Sequence, residues 1–242
     1  MTESKWRRIF PAYLPNSITF LSLGCGLISI ILSSQGFVLQ AAFCILISVF
    51  LDSLDGYLAR KLKAASNFGM QLDSLSDIVC FGVAPILLVW KHLDIAAQVS
   101  IWVLPVFVLQ IIAGAFRLAR FNLQTPKQHS HAETLGLTIT QSGLALALAV
   151  LSDLSIDTYA LPVWTFALLS LLISYLMVSK LIFPSPGWYA PTRLFYLFYL
   201  LLGAVLVYVS SIFTMLLVIY LGGLAVSISR QFFLISFKSN IL

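Results

Sequence analysis

Within 26 residues the chain carries four aspartates, Asp52, Asp55, Asp73 and Asp77, in segments that are otherwise apolar. An aspartate near the centre of a membrane helix costs about 2.5–3.5 kcal/mol on insertion scales, less toward the interface. Four together also repel one another unless protons or cations intervene. All-oxygen ligation suits a hard divalent ion such as Mg²⁺ or Mn²⁺, and four carboxylates could hold two. On the first acidic segment Asp52, Asp55, Gly56 and Ala59 fall at i, i+3, i+4 and i+7, one stripe of a helix. On the second, Gly69, Asp73 and Asp77 fall at i, i+4 and i+8, again one stripe. Gly56, Ala59 and Gly69 leave no side chain in the way of a bulky ligand, and Arg60 could pair with phosphate oxygens. Metal-holding carboxylates, a gap and an arginine together suggest a phosphorylated ligand. Other readings stay open residue by residue: small residues also serve helix packing, and an arginine at a helix end also snorkels to the interface.

These stripes need two helices as an antiparallel hairpin turning near residues 61–66. Equal rise per residue then sets Asp55 level with Asp73 and Asp52 level with Asp77. The rest of the chain supports helices in lipid. Of 242 residues, 60% are hydrophobic and 10% charged, against about 25% charged in soluble domains. A spanning helix needs about 20 apolar residues. The expected spans lie near 15–34, 38–59, 68–90, 97–120, 135–152, 160–180, 193–210 and 212–231. The expected fold class is therefore all-α, a polytopic bundle of about eight transmembrane helices with both termini cytoplasmic.

That orientation places Lys5, Arg7, Arg8, Arg60, Lys61, Lys63, Arg117, Arg120, Lys127, Lys180, Arg193, Arg230 and Lys238 on the cytoplasmic side and only Lys91 outside. The net charge of +5 is then a topology signal. The basic residues form no single patch, so no nucleic-acid partner is expected. Trp6, Phe10 and Tyr13 read as an interfacial anchor, and the first apolar run as a span with no cleavage site after it. Cys25, Cys44 and Cys80 read as small buried hydrophobes. The polar stretch Lys127–Thr134, with His129, His131 and Glu133, reads as a solvated loop. "FPSPGWYAPTR", Phe183 to Arg193, separates a six-helix core (1–183) from a loop and two further helices (184–242).

The filled spacing D-x₂-D-G-x₂-A-R-x₈-G-x₃-D-x₃-D, from Asp52 to Asp77, resembles the signature of the CDP-alcohol phosphatidyltransferases, with no position departing from it. "FGMQLDSLSDIVCFGVAP" (Phe68 to Pro85), "FRLARFN" (Phe116 to Asn122), "LMVSK" (Leu176 to Lys180) and "PNSIT" (Pro15 to Thr19) are similar to the serine-using members. The resemblance implies a membrane enzyme that displaces CMP from CDP-diacylglycerol with the hydroxyl of L-serine. It implies that Asp52, Asp55 and Asp73 ligate Mg²⁺ or Mn²⁺, and that Asp77 is both a ligand and the general base. Asn16, Thr19, Gly56, Ala59, Arg60, Ser66 and Gly69 would bind the CDP-lipid. Asn16 and Thr19 could also simply cap the first helix. Arg117, Arg120 and Asn122 would bind the acceptor or phosphate, or the arginines could merely mark topology. The resemblance further implies a homodimer. One segment departs from the serine-type pattern: "LGLTITQSG" (Leu135 to Gly143) stands where those relatives have a G-L-P-x-P-like run.

Rival readings keep the chemistry with another acceptor, glycerol 3-phosphate, inositol or inositol phosphate. A different class is a cation transporter using the acidic cluster. Transport predicts carboxylates through the membrane depth on several helices. Here they crowd toward one face on two helices, with Asp153 and Asp157 in an outer loop and Asp94 near another. The expected location is a bacterial inner (cytoplasmic) membrane, surrounded by its lipids, with the active site facing the cytoplasm.

Overall fold

The computed structural model describes residues 3–64, 66–96, 98, 101–123, 133–155, 161–184 and 212–239. Its helices are α1 (Glu3–Ser34), α2 (Val38–Lys61), α3 (Asn67–Asp77), α4 (Ala84–Ile95), α5 (Leu104–Leu123), α6 (Ile139–Leu154), α7 (Val163–Val178) and α8 (Ile212–Ser239). A π-helical segment, Ile78–Val83, joins α3 to α4 without a break, so the pair crosses as one span. Among the described residues, four spans are long and apolar enough to cross a bilayer: Tyr13–Ser34, Val38–Lys61, Asn67–Ile95 and Ile101–Leu123. Three shorter apolar helices accompany them, Ile139–Leu154, Val163–Val178 and Leu216–Ser229. The chain is an all-α membrane bundle, and seven of the eight expected spans fall on these helices. The expected span at 193–210 lies outside the described residues, as do the 127–132 loop, Asp157 and residues 185–193.

Two features were not foreseen. The N-terminal segment and the first span form one continuous helix, which runs through Pro11 and Pro15. The side chains of Trp6 and Phe10 lie outside the described residues, and Tyr13 is exposed. A short antiparallel pair, Glu133–Leu135 with Ile182–Pro184, ties the approach to α6 to the exit from α7.

Apolar side chains gain little by leaving lipid for protein, so close packing and hydrogen bonds must hold such helices together. The α1–α2 contact, the most extensive in the bundle, illustrates this. Ser22 Oγ donates to the Ser48 carbonyl (3.2 Å), and Ser48 Oγ donates back to the Ser22 carbonyl (3.0 Å). Ser29 Oγ donates to the Ala41 carbonyl at 2.9 Å, with Ala41 and Ala42 fully buried beside it. Small residues let the backbones approach, and the hydroxyls of Ser22, Ser29 and Ser48 each find a carbonyl across the contact. Cys80 is buried here and donates to the Ser22 carbonyl, while Cys25 and Cys44 are only half-buried. Gly26 makes room for Cys80, since a Cβ there would lie 2.5 Å from its Sγ.

At the bundle end away from Asp52, Asp55, Asp73 and Asp77, His92 Nε2 and Asp153 Oδ2 are 2.6 Å apart and both residues are buried. Asp153 also accepts from the Leu161 amide. The expected loop position for Asp153 is thus corrected: it closes the last turn of α6, where two donors offset its burial. Lys91 and Asp94 pair at the exposed surface of the same end.

Candidate active site

The turn between the acidic helices begins with a C-cap. The Ala64 amide donates to the Ala59 carbonyl (2.9 Å) and the Lys63 amide to that of Arg60 (3.2 Å). Lys63 takes a left-handed φ of 52°, where glycine is usual. Ser66 then N-caps α3, its hydroxyl accepting from the Gly69 amide at 3.0 Å. Asp55 lies six residues before the end of α2 and Asp73 six residues into α3, roughly 9 Å from the turn along each helix.

The carboxylates converge as the spacing requires. One oxygen from each of Asp52, Asp55 and Asp73 lies within 4.8 Å of the others. Asp77 is buried and near enough to Asp52 and Asp73 to interact with both electrostatically. The supporting architecture differs from a closed hairpin, because α2 and α3 make little direct contact with each other. Helix α1 packs against both, and α6 packs against α2. Two acidic stripes packed face to face would repel and leave no room for groups that offset their charge. The neighbours supply donors instead. Thr19 Oγ1 of α1 lies 2.6 Å from Asp55 Oδ2, and Thr140 Oγ1 of α6 donates to Asp52 Oδ2 at 3.3 Å. Oxygen donors so gathered fit a hard divalent cation.

A cavity of about 450 Å³ opens beside the cluster. Asn16, Thr19, Gly56, Ala59, Arg60, Ser66 and Gly69 all line it, together with Asp55 and Asp73. Gly69 allows close approach: a Cβ there would stand 2.9 Å from Asn16 Oδ1 and 3.2 Å from Ser66 Oγ, and those side chains would have to shift. Phe121 and Met70 also line the cavity and were not singled out from the sequence. Phe121 sits inside "FRLARFN", between two residues that were, so its position was available but its role was not. Thr140 was missed for a clearer reason: it belongs to the departing segment 135–143 and lies 88 residues from Asp52 in the chain.

The three acceptor-side candidates separate. Arg117 is 7% exposed and near enough to Asp77, Asp73 and Asp52 to interact with each electrostatically. Its guanidinium lies over the Phe121 ring (5.1 Å), and its Nε has no hydrogen-bond partner. Asn122 Nδ2 donates to Ser74 Oγ at 2.9 Å, and its buried Oδ1 is also without a partner. Arg120 is committed elsewhere. Its guanidinium donates to the carbonyls of Val178 (2.9 Å), Leu135 (3.0 Å), Met177 (3.1 Å) and Ser179 (3.3 Å). It clamps the C-terminus of α7, where backbone carbonyls lack helical partners, so the side chain expected at the acceptor or phosphate is held by four backbone carbonyls.

Fold and site define a class: membrane helical bundles that gather carboxylates beside a cavity toward one end. Residues 12–228 match the family model for CDP-alcohol phosphatidyltransferase, and the chain belongs to that family. Similar proteins include the CDP-diacylglycerol–serine O-phosphatidyltransferase of Helicobacter pylori strain 26695, 34% identical over 73% of this chain and 74% of the relative. The protein of that name from Bacillus subtilis is 34% identical over 71% of this chain and 90% of its own. The one from Methanocaldococcus jannaschii is 35% identical over 84% and 88%.

Proposed function

We propose that the protein transfers the phosphatidyl group of CDP-diacylglycerol to the hydroxyl of L-serine, forming phosphatidylserine and CMP. The observation that carries this reading is the convergence of Asp52, Asp55 and Asp73 beside a cavity lined by Gly56, Ala59, Arg60 and Gly69. The serine-using names of the similar proteins favour that acceptor.

In this reading Asp52, Asp55 and Asp73 hold divalent cation, Mg²⁺ or Mn²⁺, with Asp77 completing a site for two ions. When bound, the metal supplies charge neutralisation for the diphosphate and the departing CMP. The chain's own residues do the rest. The cavity takes the cytidine diphosphate, with Arg60 on its phosphate oxygens and Asn16, Thr19, Ser66 and Gly69 around it. Asp77 accepts the serine hydroxyl proton as the oxygen attacks the phosphorus that bears the diacylglycerol. The new O–P bond forms, the bond to the CMP oxygen breaks, and CMP leaves with that electron pair. Positioning and electrostatics carry most of such a phosphoryl transfer.

Arg117, buried and with an open Nε, pairs with the serine carboxylate, as a guanidinium does well in a dry site. Asn122 Oδ1 accepts from the serine ammonium. Residues 1–183 carry the chemistry and 184–242 support it. The protein works as a homodimer in a bacterial inner membrane, with its site on the cytoplasmic face.

The test is an acceptor panel. Purified protein receives CDP-diacylglycerol, Mn²⁺, and serine, glycerol 3-phosphate, inositol or inositol phosphate in turn, and the lipid product is read by mass spectrometry. Phosphatidylserine alone is expected. A product only with one of the phosphorylated or polyol acceptors would overturn the serine assignment and leave the transfer chemistry.

A further inference from the structure

The first turn of α6 supplies none of the motif's acidic residues, yet it is fixed from several sides. Thr138 caps it, and the Gln141 side chain closes a capping box. Just before it, Gly136 has a φ of +75°, and a Cβ there would meet the Met177 carbonyl at 2.5 Å. The Gly136 amide donates to the Leu181 carbonyl (2.7 Å). Ser142 Oγ accepts from Gln110 Nε2 of α5 at 2.9 Å. Gly143 lies so close to the π segment that a Cβ would come within 2.9 Å of Phe81 Cα. From α8, the Tyr220 hydroxyl donates to the Gln141 carbonyl at 2.9 Å. The residue that this anchored turn directs at the acidic cluster is Thr140, on Asp52 Oδ2.

We infer that Thr140 is a positioning residue for Asp52 and that Tyr220 of the last helix holds the turn from which it acts. The inference rests on the reading that Asp52 binds a divalent cation. A hydroxyl on one carboxylate oxygen restrains rotation of the group and fixes which face it turns to the ion. Partners of this kind affect metal affinity as well as catalysis. Hydrogen bonds and glycines thus give this chain a rigid α6 entry without the prolines of the serine-type pattern, and the last helix becomes part of the site's support.

The test uses full-length protein in detergent without substrate, and follows free Mn²⁺ by electron paramagnetic resonance during titration. Thr140→Val keeps the shape and removes the hydroxyl; Thr140→Ser keeps the hydroxyl. Thr140→Val is expected to weaken Mn²⁺ binding about tenfold, the low end for such partners, because the 3.3 Å contact is long. Thr140→Ser should restore most of it, and the metal-free unfolding midpoint should stay near that of the parent protein. Tyr220→Phe should weaken Mn²⁺ binding by a smaller factor, about threefold, since it acts through the backbone. Parent-like affinity in Thr140→Val, or no rescue by serine, would overturn the role of Thr140. A lower unfolding midpoint with parent-like affinity in Tyr220→Phe would overturn the role of α8. Absence of Mn²⁺ binding by the parent protein would sink this inference and the metal reading together. Parent protein that binds Mn²⁺ but releases no CMP would sink only the proposed reaction.

Discussion

Replacing Gly69 by alanine separates the cavity's binding role from its part in the fold. The added Cβ would lie 2.9 Å from Asn16 Oδ1 and 3.2 Å from Ser66 Oγ. Both distances are too short, so both side chains must give way. Ser66 is the N-cap of α3, and losing a cap costs about 1 kcal/mol. That part of the damage is reproduced alone by Ser66→Ala. The remaining part is the displacement of Asn16 and a methyl group at the cavity wall, which Ser66→Ala does not introduce. In a volume of about 450 Å³ a methyl group does not fill the space. Its effect is local, on whatever docks against the Gly56 and Gly69 stripes. If cytidine diphosphate docks there, Gly69→Ala should weaken CDP binding by at least tenfold, about 1.4 kcal/mol, measured by isothermal titration calorimetry with Mn²⁺ present. Ser66→Ala should lose similar stability, and its loss of CDP affinity should be smaller than that of Gly69→Ala, because it removes one hydroxyl beside the nucleotide and puts no methyl group at the cavity wall. Equal CDP affinity in Gly69→Ala and the parent protein would refute the assignment of this cavity to the nucleotide.

Further outcomes follow from the same geometry. Chelation by EDTA should abolish activity reversibly, and adding Mg²⁺ or Mn²⁺ to metal-free protein should raise the thermal midpoint, because cation relieves repulsion among Asp52, Asp55 and Asp73; an unchanged midpoint would count against a metal site. Arg117→Lys keeps the charge but loses the planar fork, so KM for serine should rise about tenfold or more (roughly 1.4 kcal/mol) with KM for CDP-diacylglycerol unchanged; a rise confined to the lipid would place Arg117 on the phosphate. Arg120→Ala removes a charged donor from four carbonyls and should destabilise the protein by about 2–3 kcal/mol, read by thermal unfolding; loss of serine affinity at parent-like stability would return Arg120 to the acceptor site.

The acidic core was legible because its information is local. Asp52, Asp55, Asp73 and Asp77 lie on two consecutive segments, and helical periodicity alone puts each pair on one face. Gly56, Ala59, Arg60 and Gly69 were legible for the same reason, since they share those segments, while Ser66, in the turn between them, came with the family resemblance. Asn16 and Thr19 needed the family resemblance, since only α1 packing against α2 and α3 brings them to the site. What failed to show was non-local. Nothing near Arg120 in sequence reveals four carbonyls, three of them beyond residue 176, waiting for its guanidinium. The separation of α2 from α3 depends on α1, and the Thr140 contact with Asp52 depends on the placement of α6. Asp153 read as a loop residue because its buried partner, His92, lies 61 positions away.

Transfer of a phosphatidyl group must release CMP. Its most direct measurement is CMP formed by the purified protein from CDP-diacylglycerol, with serine present or withheld, Mn²⁺ present or chelated, and Asp77→Asn assayed alongside. CMP and phosphatidylserine should form in equal amounts, only with serine and metal together, and almost none should form with Asp77→Asn. Folded protein that releases no CMP with any alcohol, yet passes cations across a vesicle membrane, would contradict phosphatidyl transfer.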